Sequence, residues 1–329
     1  MTDLASRILS GDRRALARAI TLVESTRADH REQARVLLEH LAGARRQALR
    51  IGLSGTPGVG KSTFIEAFGT MLCDQGLKVA VLAVDPSSAR TGGSILGDKT
   101  RMERLSRLPN AFIRPSPSQT HLGGVARRTR EALALCEAAG FDIVLIETVG
   151  VGQSETVVAD LADVFVLLMA PAGGDELQGV KRGIMEAADL IVVNKADGDL
   201  KPAAMRTCAD YAGALRLLRP RPQDAPGYPL AMTASALHED GLAQVWDRIT
   251  ALTDWRRAQG HWDARRATQA RRWFEDEVRQ ALLAQLDTPT ARATLQAMGA
   301  QVEAGGVSPA SAALAVLSAL DQGVTASTR

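Results

Sequence analysis

Gly55-Thr56-Pro57-Gly58-Val59-Gly60-Lys61-Ser62 matches G-x-x-x-x-G-K-[ST] in full and stands between an apolar run, Leu49 to Ser54, and a helical pattern that begins near Lys61. Glycines at these places let the backbone curl so that successive N–H groups point at one anion, and the helix N-terminus adds partial positive charge. Lys61 is then placed to reach the β- and γ-phosphates of a nucleotide and Ser62 to offer its hydroxyl to magnesium. Gly55, Pro57, Gly58, Val59, Gly60 and Thr63 make up the rest of the cradle. A bare Gly-rich turn before a helix would need neither the Lys-Ser pair nor the preceding strand.

Outward from this loop, apolar and β-branched runs alternate with helical patterns: Val79 to Asp85, Phe141 to Glu147, Val164 to Met169, Leu190 to Asn194 and Pro229 to Thr233. Such alternation predicts an α/β fold with a mostly parallel sheet covered on both faces. Ligands of such sheets bind at the carboxyl ends of the strands, and every chemical motif here falls there. Helical periodicity marks the two flanks. From Leu4 to about Gly43, Leu16, Ile20 and Val23 recur at helical spacing, with a second helix from about Arg31 to Arg46. After Trp255 the strand signals stop, Asp263 to Leu286 reads as one long helix, and shorter helices follow Pro289 and Pro309. The expected organisation is an N-terminal helical cap over 1–47, a nucleotide-binding domain over 48–255 and a C-terminal helical arm over 256–329.

Two strand ends carry acids suited to magnesium, Asp85 and Glu147. An acid after four or more buried apolar residues is costly unless something binds it, although capping of the next helix or turn is the plainer role. Asn194-Lys195-Ala196-Asp197 follows another strand and points to guanine. An Asp carboxylate accepts from guanine N1–H and its 2-amino group, whereas adenine has no matching pair of donors. Ser235-Ala236, after the strand that ends at Thr233, stands where a backbone donor to guanine O6 is wanted.

With 46% hydrophobic and 23% charged residues the chain can build a full core, and a formal charge of +2 makes no case for nucleic acid. The basic pairs Arg265-Arg266 and Arg271-Arg272 read as solvated helix faces. No run approaches the roughly 18 apolar residues of a membrane helix, and no leader is evident at the N-terminus, so a cytoplasmic protein is expected. The Arg-rich first helix is similar to a transit peptide, but Asp3 and Asp12 argue against one. Cys73, Cys136 and Cys208 are isolated and read as reduced thiols, not a zinc site or a disulfide framework.

The stretch from Val84 to Met102, with Asp85-Pro86-Ser87-Ser88-Ala89-Arg90-Thr91-Gly92-Gly93-Ser94-Ile95-Leu96-Gly97-Asp98-Lys99-Thr100-Arg101 between them, is far more distinctive than a generic motif. With Glu147-Thr148-Val149-Gly150-Val151-Gly152-Gln153-Ser154-Glu155 it closely resembles the methylmalonyl-CoA mutase-associated GTPases of the MeaB, ArgK or MMAA type, over nearly the whole chain. The resemblance implies a SIMIBI-class GTPase that binds GTP or GDP with Mg2+. It further implies a homodimer built through a C-terminal arm, acting as a chaperone that gates cofactor loading and protects an adenosylcobalamin-dependent acyl-CoA mutase. By the same resemblance Asp85, Asp98 and Glu147 surround magnesium with Ser62, and Asp98 belongs to a first switch. Gly173 to Lys181 would be a further mobile loop. Arg90, Arg101 and Lys181 are candidates to complete, in the mutase complex, the catalytic site of Lys61, Asp98 and Glu147, and each reads equally well as a surface salt-bridge residue. Gln153 lies three residues beyond Gly150 and is not assigned the attacking water. Two other readings stay open: an arginine or ornithine transport-system kinase, and a metal-insertion GTPase, for which the scattered histidines offer no ligand cluster.

Overall fold

In a computed structural model, residues 1–44, 46–84, 102–115, 122–148, 154–171 and 182–327 are described. Seven strands form one sheet, every neighbouring pair parallel: β1 (Leu49–Gly55), β2 (Val79–Val84), β3 (Ala111–Arg114), β4 (Ile143–Thr148), β5 (Val164–Met169), β6 (Leu190–Val193) and β7 (Leu230–Thr233), in the order β3-β2-β4-β1-β5-β6-β7. β1, β4, β5 and β6 are buried along their whole length, as strands covered on both faces by helices must be. The loop after β1 therefore leaves the centre of the sheet, between the ends of β4 and β5.

Three helices precede the sheet: α1 (Thr2–Leu9), α2 (Arg13–Glu24) and α3 (Ala28–Leu41). The second helix expected from about Arg31 is α3, and the stretch before it is divided once more than the sequence reading had it. Gly11 takes a left-handed φ of 82°, and Asp12 then caps α2 by accepting from the amides of Arg14 and Ala15 at 2.8 and 3.1 Å. Ser25 leaves α2 with extended backbone. The helices that follow are α4 (Lys61–Asp74), α5 (Glu103–Arg107), α6 (Leu122–Ala138), α7 (Ser154–Leu161), α8 (Arg182–Ala187), α9 (Lys201–Arg216), α10 (Leu242–Ala258), α11 (His261–Gln285), α12 (Pro289–Glu303) and α13 (Pro309–Ser327). Strand β3, absent from the sequence reading, is four residues long and pairs only with β2.

The chain forms two compact units, Met1–Gln269 and Ala270–Arg329. The first takes in residues 256–269, and the reason is a buried charge network at the amino ends of the strands. Asp189, before β6, accepts from Arg256 of α10 at 2.6 Å and from Arg221 at 2.8 Å, and its other oxygen accepts from Arg256 and from the Phe165 amide at 3.2 and 2.9 Å. Asp163, before β5, holds Arg266 of α11 through both oxygens and accepts from the Arg50 amide at 2.8 Å. Glu137 of α6 accepts from Arg50 at 2.7 Å and from Arg266 at 2.9 Å. Arg265 donates to the carbonyls of Ala162 and Ala159 at 2.9 and 3.0 Å. The Arg265-Arg266 pair is thus no solvated face: it fastens the start of α11 to strands and helices of the first unit. Only residues distant in sequence supply its counter-charges, which is why composition could not show it.

Candidate functional site

The phosphate loop follows β1, and backbone geometry explains its glycines. Gly55 has φ 157°, and a Cβ there would lie 2.3 Å from the Leu168 carbonyl oxygen of β5. Gly60 has φ 89°, and a Cβ would meet the Asn194 Nδ2 at 2.8 Å. At the N-terminus of α4 no side chain caps the helix, so the first amides are left for an anion. Pro57, Gly58 and Thr63 are exposed, Val59 is buried, and Ser62 is half-buried on the first turn. Lys61 folds over the loop and donates to the carbonyls of Gly55 and Thr56 at 2.7 and 3.2 Å. Burial pushes the Lys61 ammonium below its ordinary pKa, while the charges of Glu147 and Glu155 pull it the other way. Glu147 is 5% exposed and sits in register with Leu53 of β1 and Ala83 of β2, which puts a buried acid at the sheet's centre beside the loop. Thr148, next along β4, donates to the Ser54 hydroxyl at 3.1 Å, joining the strand before the loop to the strand that carries Glu147.

The guanine motif meets the same loop from the other side. Asn194 is 1% exposed; its Nδ2 donates to the Val59 carbonyl at 2.9 Å and its Oδ1 accepts from the Ala236 amide at 3.0 Å. One side chain therefore fastens together the loops after β1, β6 and β7, with one amide hydrogen and one lone pair left over. Lys195 adopts φ 58°, unusual for a residue with a side chain, and its ammonium donates to the Gly58 carbonyl at 2.6 Å. Ser235 donates its hydroxyl to the Asp197 carboxylate and accepts from the His238 amide at 3.2 Å. A bridge between Ser235 and Asp240, with both backbone bonds formed at 2.9 and 3.0 Å, holds the Ser in place.

The structure thus brings Gly55 to Thr63, Glu147, Asn194, Lys195, Asp197, Ser235 and Ala236 to one edge of the sheet. Asp85, Asp98 and Lys181 lie outside the described residues, as do Gln153 and the loop from 173 to 181. Among the described residues no group of three or more His, Cys, Asp or Glu forms a metal cluster. Two working contacts have no signature in a motif: the Asn194 clamp and the Ser235 hydroxyl on Asp197. Polar residues closing otherwise apolar strands, such as Ser54 and Thr148, were the only hint.

Gly60→Ala is expected to weaken GDP binding about tenfold, since left-handed backbone with a Cβ costs roughly 1–2 kcal/mol and the new methyl displaces Asn194. Titration of a fluorescent GDP analogue measures this, and unchanged affinity would show that the Asn194 clamp is dispensable.

Known proteins share this arrangement of sequence and fold. The family model described as "Methylmalonyl Co-A mutase-associated GTPase MeaB" matches residues 16–291. A putative GTPase of Caulobacter vibrioides is 56% identical over 313 residues, 94% of each chain. The "Methylmalonic aciduria type A homolog, mitochondrial" of Mus musculus is 49% identical over 95% of this chain and 77% of its own length. "GTPase ArgK" of Escherichia coli is 48% identical over 86% of this chain and 85% of its own. Among solved structures, a "LAO/AO transport system kinase" superimposes with a TM-score of 0.73 at 36% identity, covering 98% of this chain and 97% of that one.

Proposed function

The chain belongs to the methylmalonyl-CoA mutase-associated GTPase family and is a P-loop GTPase, and from that premise we propose that it is a nucleotide-switched chaperone of an adenosylcobalamin-dependent acyl-CoA mutase. Support comes from the family match over residues 16–291 and from a complete phosphate loop tied to Asn194 of the motif whose Asp197 is held by Ser235. Methylmalonyl-CoA mutase or a relative is the client, and GTP sets when cofactor loading and protection occur.

In this reading the amides of the loop and of the first turn of α4 bind the phosphates. Lys61 leaves the carbonyls of Gly55 and Thr56 for the β- and γ-phosphate oxygens. Asp197, its carboxylate oriented by Ser235, accepts from guanine, while the Ala236 amide, expected to serve O6, donates to Asn194 Oδ1 and so holds the base loops together instead. The hydroxyl of Ser62 and the carboxylate of Glu147, both beside the loop, fit a hard cation, and Asp85 and Asp98 complete its oxygen set. Magnesium there would neutralise charge on the phosphates. Lys181 adds catalytic charge when the client is bound.

The second unit serves as a homodimerisation arm. Phe274, Val278 and Leu282 recur every four residues along α11 and are 67, 43 and 57% exposed, so one face of the helix is apolar and uncovered within the chain. Among the described residues no helix is long and apolar enough to cross a membrane, and we place the protein in the cytoplasm. A kinase reading has one observation in its favour, the name of the solved relative at 36% identity. Phosphate release measured with GTP and with ATP, together with a search for labelled protein product, separates the two. The chaperone reading requires GTP preference and free phosphate; ATP preference with a phosphorylated protein would overturn it.

A further inference from the structure

Among the described residues, Lys195 and Glu239 are the two other than glycine with left-handed backbone, at φ 58° and 56°. Both stand in the loops of the base site. Such backbone is unfavourable for a residue with a Cβ and persists where surrounding contacts require it. For Lys195 the contact is the Gly58 carbonyl, to which its ammonium donates at 2.6 Å. Glu239 reaches out of the site instead: its carboxylate accepts from the Arg104 guanidinium at 2.6 Å, across 135 positions of sequence.

Arg104 is itself held in place. It lies on α5, which follows directly on the stretch that carries Asp85 and Asp98, and its amide donates to the Glu66 carboxylate of α4 at 2.7 Å. Leu105, the next residue, is fully buried against Gly69 of α4. Helix α4 begins at Lys61, so Arg104 is anchored to the helix that carries the phosphate loop. At the other end, Glu239 lies inside a turn closed by the paired backbone bonds of Ser235 and Asp240, and the Ser235 hydroxyl holds Asp197. A continuous run of contacts therefore leads from α4 through Arg104 and Glu239 to Asp197.

We propose that Arg104 and Glu239 are positioning residues for the base site: their ion pair holds the turn 235–240, and through Ser235 the Asp197 carboxylate, in the geometry that accepts from guanine. This rests on the reading that Asp197 binds the base. The side chains of the pair are 63 and 50% exposed, so it adds little to the stability of the fold. Its role is to hold one loop in register with another, and its effect on affinity is a few-fold one.

The test measures dissociation constants of the full chain with Mg2+ for GDP and for inosine diphosphate, whose base keeps N1–H and lacks the 2-amino group. The parent should prefer GDP. In Arg104→Met and in Glu239→Ala, GDP should bind about threefold more weakly, the size an exposed pair can supply, and inosine diphosphate should lose less, so the preference narrows. The double variant should be no weaker than either single one. In 1 M salt, which screens the pair, parent and variants should converge. Tm should stay within about 2 °C of the parent. A parent that prefers GDP, with the same preference in both variants, overturns the latch and leaves the base assignment standing. Losses that multiply in the double variant also overturn it, since the two residues would then act separately. So does a weaker affinity that comes with a larger fall in Tm, which would make the pair a fold contact. A parent with no preference for GDP removes Asp197 from the base site and the latch with it.

Discussion

Asp197→Asn will turn the protein from a GTPase into a xanthosine triphosphatase. In the proposed site the carboxylate accepts two hydrogen bonds from guanine N1–H and the 2-amino group; an amide presents a donor in place of one acceptor and suits the 2-oxo group of xanthine instead. Sites built to read a polar edge discriminate by roughly 10⁴-fold, because the wrong partner strands a buried polar group. The ratio of kcat/KM for GTP over XTP should therefore fall by about that factor in the variant. Ser235 should still orient the new side chain, since its hydroxyl can donate to the amide oxygen as it does to the carboxylate. Steady-state phosphate release with both nucleotides measures the ratio, and an unchanged preference would remove Asp197 from the base site.

The second large effect concerns stability, at the opposite edge of the sheet. Asp189→Asn should destabilise the protein by about 3–5 kcal/mol, because it leaves Arg256, itself 2% exposed, with its buried charge uncompensated. Thermal or urea unfolding would register this as a drop in Tm on the order of 10 °C. The variant Asp189→Asn with Arg256→Met should recover much of the loss, since removing both charges avoids the stranded one. The pH dependence has a definite sign. Burial alone would raise the Asp189 carboxyl, but Arg256 and Arg221 overcome it and hold it below its ordinary value. A depressed acid contributes stability above its unfolded pKa and loses it as pH falls through the folded one, so this contribution is intact at neutral pH and fades only below about pH 4. Glu137, held down by Arg50 and Arg266 against the upward push of burial, follows the same direction. A single Asp189→Asn as stable as the parent would mean that water or relaxation reaches Arg256.

The nucleotide edge of the fold was legible in the sequence because its chemistry is local. A phosphate loop must place Gly, Lys and Ser within eight residues after a strand, and Gly55 to Ser62 does so. Six of the seven strands announced themselves by apolar runs, with ends shifted by one or two residues, as in Ile143–Thr148 against the expected Phe141 to Glu147. What could not be read is non-local. The pairing of Asp163 with Arg266, or of Asp189 with Arg256, joins residues whose sequence neighbours say nothing of each other, so Arg265-Arg266 looked like solvated charge. Likewise, Asn194 reads as part of a base motif, yet the structure uses its amide to tie Val59 to Ala236. The helical flank and its second helix were recognised, but the break at Gly11 depends on a left-handed turn and the Asp12 cap, which periodicity alone does not resolve.

That the GTP site serves as a timing device for a partner is the claim on which the rest turns. It is tested most directly by the affinity of the purified full chain for an adenosylcobalamin-dependent acyl-CoA mutase from the same host, with a non-hydrolysable GTP analogue, with GDP and without nucleotide. A switch requires the nucleotide states to differ in affinity, and a coupling of about 1.4 kcal/mol would appear as a tenfold ratio between the GTP analogue and GDP. The account predicts a ratio of that order or greater. Equal affinity in all three states, or no binding in any, would contradict it.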